Sequence, residues 1–144
     1  MLAMTTQERE TFLSEVHVGV ISIPEDGRGP LTVPIWYAYT PGEELRFVTG
    51  RMSRKGRLLQ QTPRFSLCAQ TETSPYKYVS VEGPITAIEA ADLERDVRPL
   101  AQRYLGVERG NAYIAATREE HADNVLVRMR PERWLTVDYS KATR

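Results

Sequence analysis

The chain has 144 residues, 41% of them hydrophobic and 26% charged, which suits one soluble globular domain over 1–144 with a sizeable core. Its 19 basic residues balance 19 acidic ones, so no overall field draws in nucleic acid or an anionic membrane. Any recognition of an anion must therefore be local.

The chain opens with "TTQERETFL", where Thr5 and Glu8 form the signature of a capping box ahead of a short helix carrying Phe12 and Leu13. Residues 16–23, "VHVGVISI", alternate as a strand does, and "EDGRGP" makes a turn. "LTVPIWYAY" (31–39) alternates again, with Leu31, Val33, Ile35, Tyr37 and Tyr39 on one face. Pro34 cannot donate to a ladder, so its place is an edge, a bulge or a site where a ligand replaces a strand. A short strand, Leu45–Thr49, follows and ends at Gly50.

After it come Arg51, Arg54, Lys55 and Arg57, and then a helical run closed by Pro63. Ser53 is placed to cap that helix, with Leu58 and Leu59 on its buried side. Cations in a first helical turn oppose the helix dipole and cost roughly a few tenths of a kcal/mol each. A phosphate there reverses the sign, because it takes free backbone N–H groups, the Ser53 hydroxyl and charge-assisted bonds from Arg and Lys. A solvated basic turn is the plain alternative. The segment is no nucleotide-triphosphate loop, since Gly50 to Gly56 lacks the required ending. Stacking of nucleic-acid bases on strand aromatics competes with the phosphate reading, but zero net charge and the lack of a basic stripe weigh against it.

Strands are expected at "RFSLCAQT" (64–71) and "YKYVSVEGPITAIE" (76–89), the second bent at Gly83–Pro84. Residues 92–105 read as a helix capped by Asp92 and stopped by Gly106, which Pro99 must kink or restart. A short helix in "NAYIAATREEH" and strands in "VLVRMR" and "RWLTVDYS" complete the chain. Mostly antiparallel strands with inserted helices, and no glycine fingerprint after a strand, disfavour a Rossmann-type sheet and favour a small closed or split barrel.

The run "FVTGRMSRKGRLLQQTPRFSLC" resembles the phosphate-binding region of the pyridoxamine 5′-phosphate oxidase-like split barrels. With it, "GPLTVPIWYAY", "YVSVEGPITAI" and "VRMRPERWLTVD" resemble the small actinobacterial branch described as F-420-dependent oxidoreductases. The resemblance covers about residues 6–139. It implies a mainly β chain with some helix: a six-stranded antiparallel split β-barrel of Greek-key topology with peripheral helices. It further implies a homodimer with two cofactor sites at the interface, binding FMN or coenzyme F-420; the extra cations Arg51 and Arg57 favour F-420, whose acidic tail can use them. Ser53, Arg54 and Lys55 match the phosphate-holding residues, and Arg57 with Arg51 flank them. The strand matching Pro34, Ile35, Trp36 and Tyr37, and that matching Val48, Thr49 and Gly50, lie along the ring and its ribityl chain. Tyr78 and Val79 approach from the partner subunit, and Trp134 borders the site. No counterpart is found of the C-terminal Arg and His that the pyridoxamine phosphate oxidases use on their substrate.

The expected activity is hydride transfer between F-420 or FMN and a small organic substrate. The alternatives are a non-catalytic flavin carrier or sensor, and an FMN-dependent pyridoxamine phosphate oxidase-like enzyme. The hard chemistry then belongs to the cofactor, and no side chain is assigned as catalytic. Trp36 and Tyr37 either line a flat aromatic-accepting pocket or pack in the core. Glu82 is read as solvent-facing. His17 and His121 have no spaced partners, so neither a metal site nor hydrolase chemistry is expected. The lone Cys68 gives no disulfide framework and reads as a small hydrophobe. No apolar run reaches the roughly 18–20 residues of a membrane span and residues 1–10 lack a signal-peptide core, so a cytoplasmic location is expected.

Overall fold

The computed structural model describes residues 1–143. Helix α1 (Thr6–Ser14) starts with the capping box expected of it. The Thr5 hydroxyl accepts the Glu8 N–H at 3.1 Å, and the Glu8 carboxylate accepts the Thr5 N–H at 2.8 Å. The helix buries Phe12 and Leu13. Strands β1 (Gly19–Ile23) and β2 (Leu31–Ile35) then form an antiparallel hairpin. β2 is an edge of the sheet, where Pro34 opposite Val20 removes little from the ladder.

The run expected as one strand over 31–39 is broken at Trp36–Tyr37 and resumes as β3 (Ala38–Tyr39). The break has a cause far along the chain. Helix α3 (Arg98–Leu105) brings the Tyr104 hydroxyl to the Tyr37 N–H at 3.0 Å, and donates from Arg103 Nε to the Tyr37 carbonyl at 3.1 Å. The same hydroxyl lies 2.6 Å from the His17 carbonyl, and Arg103 Nη2 donates to the Ser14 and Glu15 carbonyls at 3.0 and 2.7 Å. Two side chains thus take the backbone groups that a ladder would otherwise pair.

Strand β4 (Leu45–Gly50) leads through the basic turn into α2 (Arg54–Leu59), followed by β5 (Arg64–Gln70) and the long β6 (Lys77–Ala90). β6 changes partners midway. Its first half pairs with β5 on one side and β8 (Arg133–Asp138) on the other, while its second half pairs with β7 (Asn124–Met129). At the changeover a Cβ on Gly83 would lie 1.8 Å from the Arg130 carbonyl oxygen, so no other residue fits there. The strand is continuous through Gly83–Pro84, and its irregularity falls between Ile85 and Ala87. β7 pairs in turn with β4, and β4 with β3.

The result is a curled, open, antiparallel half-barrel of the expected class, with eight strand segments rather than six. Its core joins both halves: Phe47 of β4 meets Phe65 of β5 edge to face at 5.6 Å, with Ile21, Leu67, Val81 and Met129 around them. Outside the barrel, Val97 just before α3, Ala101 of α3 and Ile114 of α4 (Val107–Thr117) pack against Trp36 and Val48. The expected helix over 92–105 begins instead as one π-helical segment, Leu93–Val97, capped by Asp92, and turns α-helical at Arg98 beside Pro99. Pro99 has no N–H to give the preceding turn, which accounts for the change of pitch.

Two outcomes follow from these contacts. Tyr104→Phe removes the hydroxyl and strands the Tyr37 N–H, so unfolding stability should fall by about 2 kcal/mol, roughly 6 °C in Tm. An unchanged Tm would show that the hydroxyl does not hold the strand break. The second concerns acid. A hydrogen bond from Lys141, with the Thr5 N–H, holds the Glu8 carboxyl down to about 2. Because the folded value is depressed, this stabilisation is complete above the ordinary carboxylate range and is lost as pH falls from about 4.5 to 2. Glu8→Gln should flatten the stability profile across that window in urea titrations; an identical slope in wild type and variant would contradict it.

Candidate anion and cofactor site

The basic turn between β4 and α2 is held by its own backbone. Ser53 donates both its N–H (3.1 Å) and its hydroxyl (2.7 Å) to the Gly50 carbonyl, and its oxygen accepts the Gly56 N–H at 3.0 Å. Thr49 Oγ1 lies 3.2 Å from the same Ser53 oxygen. Gly56 is required, because a Cβ there would sit 2.2 Å from the Gly50 carbonyl oxygen. Gln60 Nε2 donates to the carbonyls of Arg51 and Gly56, closing the turn from behind. The expected cap is therefore real, but the Ser53 hydroxyl is already committed and must rotate to donate to a ligand.

The four cations are not equivalent. Arg51 pairs with Asp123 at 3.2 Å and Arg54 with Glu25 at 2.8 Å, both exposed pairs of small energetic weight. Lys55 and Arg57 have no ion pair among the described residues, and the first turn of α2 holds no acid. Nor do the N–H groups of Arg54 and Lys55 have an acceptor among the described residues. With six residues, α2 carries little dipole, so the case for an anion rests on these donors and free cations. Arg54, Arg57, Leu58, Gln61 and Glu25 border a shallow depression of about 280 Å³. This donor set fits the phosphate of a flavin-type cofactor, provided Arg54 is released from Glu25.

The remaining expected residues divide. Val48, Thr49 and Gly50 run directly into the turn along β4, with Thr49 buried and hydrogen-bonded to its cap. Pro34 is exposed on the edge strand, whereas Ile35 and Tyr37 are core residues. The Tyr37 hydroxyl donates to the Leu13 carbonyl at 2.8 Å, and burial drives its ionisation up. Trp36 stacks on Tyr104 at 5.2 Å and 6°, with Tyr113 tilted beside it, so one of its faces is already taken.

Tyr78 and Val79 lie in the first half of β6, opposite Gln70 and Ala69. Val79 is fully buried and Tyr78 half-buried. Trp134 packs under the Arg9 guanidinium at 4.5 Å and edge-on to Tyr39. Within one chain, Tyr78, Val79 and Trp134 make no hydrogen bond or ring contact with the basic turn among the described residues. Glu82 faces outward, near Arg64 at 3.5 Å and Arg133 at 3.8 Å, as expected.

Sequence reading missed the Arg103–Tyr104 clamp and a polar cluster behind the turn. His121 accepts the Asn124 side-chain N–H on Nδ1 (2.7 Å) and lies 2.8 Å by Nε2 from Thr117 Oγ1, while burial lowers its basicity. Asn124 is the register partner of Gly50, so the cluster supports the end of β4. The only local signal was the i, i+3 and i, i+4 spacing of these three residues. No group of His, Cys, Asp and Glu able to hold a metal exists among the described residues, and no helix there is long and apolar enough to cross a membrane.

The fold has counterparts among solved structures. A conserved hypothetical protein of Mycobacterium tuberculosis superimposes with a TM-score of 0.80 at 22% identity, over 99% of this chain and 90% of that one. A protein described as an FAD and heme binding protein of Mycobacterium smegmatis gives 0.71 at 19% identity, over 96% and 73%. A structure described as an F420 reductase gives 0.63 at 20% identity, over 88% and 94%. At these identities the likeness shows a shared fold. A comparison with curated protein sequences gives no match. The sequence model of the pyridoxamine 5′-phosphate oxidase family matches residues 5–138, and on that match the chain belongs to this family of split-barrel proteins.

Proposed function

We propose that the chain is an oxidoreductase that binds coenzyme F-420, or alternatively FMN, and acts on a small organic substrate. The observation that carries this reading is the basic turn after β4, with free N–H groups and unpaired Lys55 and Arg57, in a chain matching the family over residues 5–138. Similar structures described as an F420 reductase and as an FAD and heme binding protein support a flavin-type cofactor.

When bound, such a cofactor supplies hydride transfer. The protein's own part is binding and orientation. Lys55 and Arg57, with Arg54 once freed from Glu25, neutralise the phosphate, and the Arg54 and Lys55 N–H groups fix its oxygens. The backbone of Val48–Gly50 carries the chain that leads from the phosphate to the ring. The Arg103–Tyr104 clamp holds the Pro34–Tyr37 segment in place. F-420 is favoured over FMN because its acidic tail can use cations beyond those one phosphate needs, and Arg51 and Arg57 flank the turn.

The reading includes a cytoplasmic homodimer with cofactor sites shared between subunits. Pro34, Val20, Cys68, Ser80 and Leu135 are register neighbours across five strands and form a row on the outer face of the sheet. Val18, Val20 and Leu135 are 54%, 39% and 64% exposed there, an apolar surface that a second copy would cover. Tyr78, two residues from Ser80 along β6, lies on that same outer face, which supports its reaching a site across the interface, whereas Trp134 packs on the inner face against the core. A carrier or sensor without turnover is the second reading, favoured by the engagement of the two carboxylates beside the turn, Glu25 and Asp123, in ion pairs with Arg54 and Arg51. Reoxidation of the reduced cofactor by a substrate panel separates the two.

Arg54→Ala combined with Lys55→Ala should weaken F-420 and FMN binding alike by roughly 2–3 kcal/mol, with free-protein stability changed by less than about 0.5 kcal/mol. For the wild type, F-420 should bind tighter than FMN by about 1 kcal/mol at low salt, and the margin should shrink at high salt. Unchanged affinity in the double variant would remove the phosphate assignment, and tighter FMN binding at both ionic strengths would overturn the preference. Light scattering at micromolar concentration should give twice the 16.4 kDa chain mass. A cofactor-binding monomer would contradict the shared site.

A further inference from the structure

A second concave site lies under α3, on the outer face of β4 and away from the apolar row. It encloses about 220 Å³. Its wall is apolar along Ala38, Val48, Pro99 and Leu100, and its polar groups are Arg46, Arg95, Arg103 and Asp96. The charges do not cancel. Asp96 is taken by Arg95 through two bonds, at 3.0 and 2.8 Å. Arg103 spends its donors on the carbonyls of Tyr37, Ser14 and Glu15 and meets no carboxylate. Arg46 has no hydrogen bond or ion pair among the described residues, although it is half-buried.

Arg46 is also badly placed for stability. Its register partner on β7 is Arg128, so two arginine side chains leave the sheet from directly opposite positions on one face. Like charges in that position destabilise a sheet. Arg128 is relieved by Glu89 at 3.3 Å, but Arg46 is not. A cation kept half-buried, opposed by another cation and lining a cavity with one apolar wall and an excess of positive charge, becomes favourable when an anion enters the cavity. The volume suits a single ring bearing one anionic group, at the small end of ligand pockets.

We propose that this cavity binds a small organic carboxylate with a flat apolar body, its carboxylate on Arg46 and its body against Val48, Pro99 and Leu100. Arg103 adds positive field without giving up its carbonyl partners. Val48 borders both this cavity and the proposed cofactor strand, yet the inference does not depend on which cofactor, if any, is held at the basic turn.

The test uses purified protein as isolated, with benzoate, benzyl alcohol and inorganic phosphate as probes, followed by calorimetry and thermal denaturation. Wild type should bind benzoate saturably and at least tenfold more tightly than either benzyl alcohol or phosphate. Arg46→Gln should lose benzoate binding by tenfold or more, while its Tm without probe rises by about 1–3 °C as the Arg46–Arg128 opposition is relieved. A purely structural arginine would give the opposite sign, a lower Tm. Benzoate binding that is absent, or equal in Arg46→Gln, would overturn the proposal, and so would phosphate binding as tightly as benzoate. Arg54→Ala with Lys55→Ala should leave benzoate binding intact, which separates this site from the basic turn; loss of binding in that variant would place the benzoate at the turn and overturn the proposal.

Discussion

Strand β6 has to serve three neighbours, and the rest of the molecule depends on how it does so. A strand has two edges, and the first half of β6 spends both, on β5 and β8. The second half can pair with β7 only where β8 no longer occupies the edge. That handover requires the Arg130 carbonyl to come within contact distance of the β6 backbone, which Gly83 alone permits. From there the geometry propagates: β7 fixes β4 over six register positions, and the end of β4 fixes the basic turn.

The turn is therefore a well-anchored place to hold an anion. Its cap, its glycine contact and the Gln60 bonds fix the backbone without using Lys55, Arg57 or the first N–H groups of α2. On its far side, Arg51 donates its N–H to the Asp123 carbonyl, and Asn124 links the strand end to His121. Rigid positioning of donors lowers the ordering cost of binding. The α3–α4 hairpin adds a second constraint by clamping Tyr37 and covering Trp36, so the two segments expected beside a cofactor ring are held by different devices.

Much of this was legible in the chain, and what was not has a common cause. The Thr5–Glu8 box, the Ser53 cap and the Asp92 cap are contacts between residues three apart, and sequence spacing encodes them directly. Of the readings open to Pro34 the edge is the one found, whereas Gly83, read as part of a bend, marks a close backbone approach in a continuous strand. The break at Trp36–Tyr37 was hidden because Tyr104, which causes it, lies 67 residues from Tyr37. For the same reason the sequence leaves Trp36 open between a ligand platform and core packing, and in the fold it packs against the helical hairpin. The engagement of Arg51 by Asp123 and of Arg54 by Glu25 likewise depends on how loops converge. Membership of the family entered through the order and spacing of several motifs, none of which is specific alone.

Cofactor binding by the whole, unmodified chain is the most direct test of this account. F-420 titrated into purified protein at low salt should show saturable quenching of its fluorescence at one site per chain, with F-420 held by a dimer. Absence of saturable binding of either F-420 or FMN, at protein concentrations up to about 100 micromolar, would contradict it; that threshold corresponds to roughly −5.5 kcal/mol, weaker than the proposed charge-assisted contacts should give.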